Sequence, residues 1–455
     1  MRSGLGDRRA TLRAWLRPGM GVKRWLLLVF VGELCLALGG AFALRQLYRD
    51  TDIAGPLQAF FYIATLQFLP YVVRGVIVGA VGAALFVIGS LKLIRALMDP
   101  FRSADDNQPL VEVIYQKRFL ARGPRIVALG GGTGLSMLLR GLKEHTSNLT
   151  AIVTVADDGG SSGKLREQLG VPAVGDIRNC IVALADAESL MAELLQYRFP
   201  EGDRTGSSDD ATTLGGHAVG NLLIAALTAV EGGDFEEGVR KMNKVLAVRG
   251  QVLPVSPTPL VMHAQLRDGT QVDGQSNIAA AAGIERVWIT PDEVVESEDA
   301  VQAIAEADVI VLGPGSLFTS ILPSLLLPHI RDAVLSSPAL RIYACNVATQ
   351  AGETSRFDLA DHAEALLRHT APDLVDIVLA NNQFGARVPV DWHGAPVQLR
   401  WPPAGNAPPK LVLDDVVDPD NAHHHDPGRL AVALMRVIER EGGITRRRSG
   451  VARSA

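Results

Sequence analysis

Three times in this chain a short apolar run rich in Val and Ile passes straight into a glycine-rich bend, and then into a stretch with helical patterning. RIVAL (125–129) leads to GGGTG, TAIVTV (150–155) to ADDGGSSG, and ADVIVL (307–312) to GPGSLFTS. RIYAC (341–345) and VDIVLA (375–380) are further runs of the same kind. Continuous apolar runs of this length suit strands buried on both faces. Helix-like stretches lie between them at 134–144, 217–230, 234–248, 297–306 and 359–369. Strands alternating with helices predict an α/β fold, a Rossmann-like doubly wound and mostly parallel sheet. Residues 260–274 alternate instead around Asp268-Gly269, a hairpin signal, and predict an antiparallel excursion from that sheet.

In open α/β sheets ligands sit at the carboxyl ends of the strands, so the residues just past each run are the site candidates. After the first come Gly131, Gly132, Thr133 and Gly134. Glycine lets backbone approach a ligand closely, and the helix that follows offers free N–H groups to an anion. The dinucleotide fingerprint is absent, since GxGxxG from Gly130 needs glycine where Leu135 stands, and no GK[ST] follows. The bend predicts a phosphate cradle; the alternative is glycine required by turn geometry alone.

After the second run, Asp157 and Asp158 precede Gly159, Ser161 and Ser162. Adjacent carboxylates there suit Mg²⁺ or hydrogen bonds to ligand hydroxyl and ring N–H groups, or else a solvated turn in which Asp caps a helix. Asp176 can cap the next helix, which puts Arg178 and Asn179 in a first turn where the helix dipole disfavours arginine. An anionic ligand would account for Arg178, and so would a salt bridge to Asp157, Asp158 or Asp186. His217 and Asn221 open an apolar helix, where a neutral His could contact a nucleotide or sugar. Gly313, Gly315 and Ser316 form a third bend suited to a second phosphate or carboxylate, and Asn346 follows the next strand. Asp157, Asp158 and Arg178 are the candidates for any catalytic role. His423-His424-His425 has the composition of a metal tract but lacks helical metal spacing, so it is not assigned as a ligand set.

The 455 residues carry 44 Lys+Arg against 49 Asp+Glu, a mild acidity that argues against a nucleic-acid partner. Three dispersed cysteines offer no disulfide framework and fit a reducing compartment. A mean hydropathy of +0.18 is high, and the excess sits near the start. Trp25 to Leu44 carries one charge, Glu33, and Gly75 to Leu91 carries none. Each is near the roughly 17–20 residues that a bilayer requires. Two transmembrane helices are therefore expected, at about 25–44 and 74–94, within an anchor spanning 1–95. Arg and Lys flank both on the outer sides, which predicts a plasma-membrane protein with its N-terminus and main domain cytoplasmic. Residues 96–123 read as a linker, 124–440 as the main domain, and 441–455 as a basic disordered tail.

Taken in order, GGGTG, DDGGSSGKLR, GDIRN, GGHAVGNLL, GPGSLFTSILP and CNVATQAGET resemble the gluconeogenesis factors (YvcK-like proteins) of the 2-phospho-L-lactate transferase (CofD-like) superfamily. The likeness covers most of 124–440; the hydrophobic start looks like an added anchor. It implies a Rossmann-like fold that binds a nucleotide diphosphate. On the gluconeogenesis-factor branch it implies a UDP-sugar ligand and a role in cell shape and wall-precursor supply, with no settled reaction. On the transferase branch it implies moving a phospholactyl-type group to a deazaflavin with Mg²⁺, the deazaflavin contacting Asp157 or Asp158. DDGGSSGKLR matches the first branch better. The resemblance leaves homo-oligomerisation open.

Overall fold

The computed structural model describes residues 119–185, 189–201, 214–388, 394–403 and 408–452, with scattered residues between Phe30 and Phe86. The two expected membrane helices lie almost wholly outside the described residues. Among the described residues no helix is long and apolar enough to cross a membrane.

The core is a seven-stranded sheet whose adjacent strands are all parallel. In chain order its strands are β1 (Ile126–Gly130), β2 (Leu149–Val153), β3 (Gln251–Pro254), β7 (Val309–Leu312), β8 (Leu340–Ala344), β9 (Ile377–Asn381) and β10 (Lys410–Asp414). The spatial order is β10-β9-β8-β7-β1-β2-β3. Every residue of β1, β7 and β9 is buried, as expected for strands covered by helices on both faces. The chain builds outward from β1 to β3, then returns to β7 on the other side of β1. That reversal opens a crevice past the ends of β1 and β7, where a doubly wound sheet takes its ligand.

The expected hairpin is present: β4 (Val261–Leu266) pairs antiparallel with β5 (Gln271–Asp273) and, on its other side, with β6 (Ile284–Thr290). A second small ribbon joins β11 (Val417–Asp418) to β12 (Asn421–His425). The edge strands β3 and β10 were not legible in the sequence. Their apolar runs are short, Val252-Leu253 in β3 and Leu411-Val412-Leu413 in β10, and exposed polar residues flank them at Gln251 and Lys410.

The helices are α1 (Gly132–Leu142), α2 (Gly160–Leu169), α3 (Gly175–Leu184), α4 (Ser189–Gln196), α5 (Val219–Val230) and α6 (Phe235–Val245). Then follow α7 (Gln275–Ala280), α8 (Glu298–Glu306), α9 (Leu322–Leu325), α10 (Pro328–Ser336), α11 (Leu359–His369) and α12 (Pro427–Ala452). A π-helical turn, Leu317–Ile321, runs into α9. The terminal helix continues to Ala452, past Glu441 where a disordered tail was expected; no proline after Pro427 interrupts it.

Capping divides these helices into two kinds. Asp234 caps α6, Ser297 caps α8, and Asp358 with Asp361 forms a reciprocal box on α11. No side chain caps α1 or α2, the helices that begin just past β1 and β2.

Candidate functional site

Gly130 ends β1 and Gly131 is the N-cap of α1. Gly132 has φ +65, in the left-handed region. A Cβ on Gly134 would stand 2.6 Å from the Pro314 carbonyl oxygen, and one on Gly131 would stand 2.5 Å from Asp176 Oδ2. The bends after β1 and β7 thus touch backbone to backbone, a closeness only glycine permits. Between them lies a cavity of about 220 Å³. Its walls include Gly131, Gly132, Thr133, Gly134, Gly315 and Ser316, with Asn346, Gln350 and His423-His424-His425 opposite. Gly131 offers no cap and the first turn of α1 has no acidic residue; Asp176 takes the Gly132 N–H, and the N–H groups that follow, with the helix dipole, favour an anion in this space.

The third bend is organised differently. The N–H of Gly315 donates to Asn346 Oδ1 at 3.1 Å, and Asn346 Nδ2 donates back to the Gly315 carbonyl at 2.8 Å. Gln350 Nε2 donates to Ser316 Oγ at 2.8 Å. The Glu353 carboxylate accepts from the N–H groups of Phe318 (2.6 Å) and Thr319 (2.9 Å) at the head of the π turn. The anion expected at this helix start is therefore the protein's own. Burial pushes the Glu353 carboxyl up to about 7 against the opposing effect of those N–H donors. Gly313, φ +74, sits against Ile321 and serves the turn.

Asp157 and Asp158 each accept from a backbone N–H. Asp157 Oδ1 accepts from Gly159 N–H at 3.0 Å. Asp158 Oδ1 accepts from the backbone N–H (2.9 Å) and hydroxyl (2.7 Å) of Ser276, holding the first turn of α7. Each carboxylate of the proposed Mg²⁺ pair thus has a protein partner, and no group of three metal-ligand side chains occurs among the described residues. Asp157 lies instead beside Asp176. Burial first, then Asp157, raises the Asp176 carboxyl to about 6, although Gly132 N–H and Arg178 favour its charge. A perturbed carboxyl such as Asp176, at the start of α1, is characteristic of functional sites.

The remaining candidates form a buried web. Arg178 Nη1 donates to Asn221 Oδ1 and Nη2 to Asn179 Oδ1, each at 3.0 Å, while its buried Nε has no partner. Asn221 Nδ2 donates to Ser161 Oγ at 3.0 Å, and Ser161 Oγ lies 3.2 Å from His217 Nδ1. Ser162 Oγ accepts from Gly175 N–H at 3.1 Å. Burial, then Lys164 and Arg198, hold the His217 imidazole below its usual range. Ser161, Ser162, Arg178, His217 and Asn221 are each at most 8% exposed, so they tie α2, α3 and α5 together beneath the surface. A second cavity of about 290 Å³ opens over α2, against Gly160, Lys164 and Arg198.

The His tract has a use that its spacing did not suggest. The β11–β12 ribbon brings His423, His424 and His425 against the α1 cradle. Burial drives the His425 imidazole down to about 4, and its Nε2 lies 3.2 Å from the Cys345 carbonyl. Burial, then His424, lowers His423 as well. His423 and His425 are thus held neutral on the far wall, some 290 residues in sequence from the bend they face.

Fold and cavity together define a doubly wound α/β protein with a ligand crevice at its switch point. The sequence matches the family described as 2-phospho-L-lactate transferase CofD over residues 126–390. It is 44% identical over 375 residues to a Clostridium acetobutylicum protein described as "Putative gluconeogenesis factor", covering 81% of this chain and 78% of that one. It is 47% identical over 265 residues to the gluconeogenesis factor of Bacillus subtilis, covering 58% of this chain and 80% of the relative. A crystal structure of a upf0052-family member from Bacillus halodurans superposes with a TM-score of 0.61 at 39% identity, covering 69% of this chain and 99% of that one. The chain belongs to the CofD family and, within it, is a relative of the YvcK-like gluconeogenesis factors.

Proposed function

We propose that the protein is a nucleotide-sugar-binding regulator of the gluconeogenesis-factor type, with a UDP-sugar as ligand. It would be held at the cytoplasmic face of the plasma membrane by its N-terminal helices and act on cell shape and wall-precursor supply. The observation that carries this reading is the uncapped start of α1 opening into the switch-point cavity. A diphosphate satisfies those N–H groups and the dipole at once. Ser316, Asn346 and Gln350 line the same space and supply polar contacts for the sugar. Binding suffices for regulation. Calorimetry of the full chain with UDP-N-acetylglucosamine and UDP-glucose tests the reading. Saturable binding to the wild type that is lost in Gly132→Val supports it. No heat of binding with millimolar ligand removes it.

A CofD-like transferase is the second reading, favoured by the family match and by the facing carboxyls of Asp157 and Asp176. Near neutral pH a carboxyl with a pKa near 6 is a competent base toward an acceptor hydroxyl. Mass spectrometry after incubation with a guanylyl-activated phospholactate, a deazaflavin and Mg²⁺ tests it; absence of a transferred group from folded protein rejects it.

A further inference from the structure

A cavity of about 460 Å³ lies away from the glycine bends and serves neither reading above. It is bounded by β6, by the turn entering α10 and by the end of α11. Leu326, Leu327 and Val294 give it apolar walls, and Trp288 a flat one. Arg286 and Arg368, 82 positions apart in sequence, both line it. Neither guanidinium has an ion pair or hydrogen bond among the described residues. By contrast, Arg240, Arg341, Arg400, Arg429 and Arg436 each hold a carboxylate. Glu285 and Asp292 line the same cavity, yet neither pairs with Arg286 or Arg368. The Arg286 guanidinium carbon stays 6.0 Å from the Trp288 ring centroid, and the indole's other contact is a stacked His263 at 5.5 Å. His369 completes the polar end. Its Nδ1 donates to the Ala365 carbonyl at 2.7 Å, which leaves Nε2 without a partner. Burial, followed by Arg368 and Arg286, keeps that imidazole below its usual range, so Nε2 is an acceptor.

We infer that this cavity is a second ligand site, built for a small organic anion: a phosphate monoester or carboxylate carried on an apolar ring or short chain. The two guanidiniums take the oxygens in the forked geometry that arginine provides. The apolar walls take the body, and the volume falls in the ordinary range for a small-molecule site. Two guanidiniums lining one cavity repel each other, and an anion bound there relieves that repulsion.

Phenyl phosphate is the probe, with inorganic phosphate and phenol as its two halves. Calorimetry on the full chain should show saturable binding of phenyl phosphate, and binding of each half at least about tenfold weaker. Arg286→Ala with Arg368→Ala should weaken phenyl phosphate by about tenfold or more, the scale of losing charge-assisted contacts. Both arginines are exposed, so this variant keeps its fold, which circular dichroism checks. Gly132→Val, which disables the other cavity, should bind phenyl phosphate like the wild type. Tryptophan fluorescence should respond to the probe in the wild type and not in Trp288→Phe. An absence of phenyl phosphate binding, an undiminished double variant, or loss in Gly132→Val would each overturn the assignment.

Discussion

Replacing Asp176 with asparagine gives the sharpest physical test of the site's electrostatics. Asp176 is buried beside Asp157, and its carboxyl is raised from 3.8 to about 6. The folded state therefore holds this proton more tightly than the unfolded chain does. The resulting stability is fully present below about pH 3.8 and is lost as pH rises through about 6. At about 1.36 kcal/mol per unit, the loss is roughly 1.6 kcal/mol at pH 5 and roughly 3 kcal/mol at pH 7.5. Asparagine keeps the shape and an acceptor for Gly132 N–H but never ionises. Any fixed cost of the amide is the same at both pH values. The variant should therefore gain about 1.4 kcal/mol on the wild type between pH 5 and pH 7.5. Urea unfolding followed by circular dichroism at the two pH values reads this difference directly. A gap that does not change with pH, or that shrinks as pH rises, would refute the argument that Asp176 is a strained buried carboxylate. The comparison must be between proteins, because the low His425 acts in the opposite direction. Its stability is present above about pH 6.5 and lost as pH falls through about 4.

Four further outcomes are expected. Gly132→Val should abolish nucleotide-sugar binding while the fold survives. The only atom near a Cβ there is Ser320 Oγ at 3.6 Å, and the left-handed φ costs roughly 1–2 kcal/mol, more for a branched residue; calorimetry and circular dichroism separate the two effects. Asp158→Ala should cost about 1 kcal/mol in urea unfolding, because its carboxylate holds the start of α7. Glu353→Ala should cost at least about 2 kcal/mol, since it strips the N–H groups of Phe318 and Thr319 of their buried acceptor. Deleting residues 1–95 should move the protein from the membrane to the soluble fraction on ultracentrifugation; a wild-type chain that is already soluble contradicts the proposed anchor.

The parts of this molecule that follow from local patterning were legible in the sequence. Continuous apolar runs gave the central strands, Asp268-Gly269 gave the hairpin, and the glycines past β1 and β7 marked the crevice. What escaped depends on contacts between distant segments. Asp157 and Asp158 read as a pair because they are neighbours in the chain, yet Asp158 holds Ser276, 118 residues further on, and Asp157 acts on Asp176. The third bend read as an open anion site because Glu353, which fills it, lies 34 to 35 residues away from Phe318 and Thr319. Ser161, His217 and Asn221 read as ligand contacts, and the structure places them in one buried web. The His tract was weighed only as a metal site, since nothing local shows that β12 returns to the cradle.

The most direct test is a crystal structure of the protein with UDP-N-acetylglucosamine. Diphosphate oxygens within hydrogen-bonding distance of the backbone N–H groups of Thr133 and Gly134, with the sugar toward Ser316 and Asn346, are the result this mechanism requires. A ligand seated elsewhere, or a diphosphate making no contact with the first turn of α1, would contradict it.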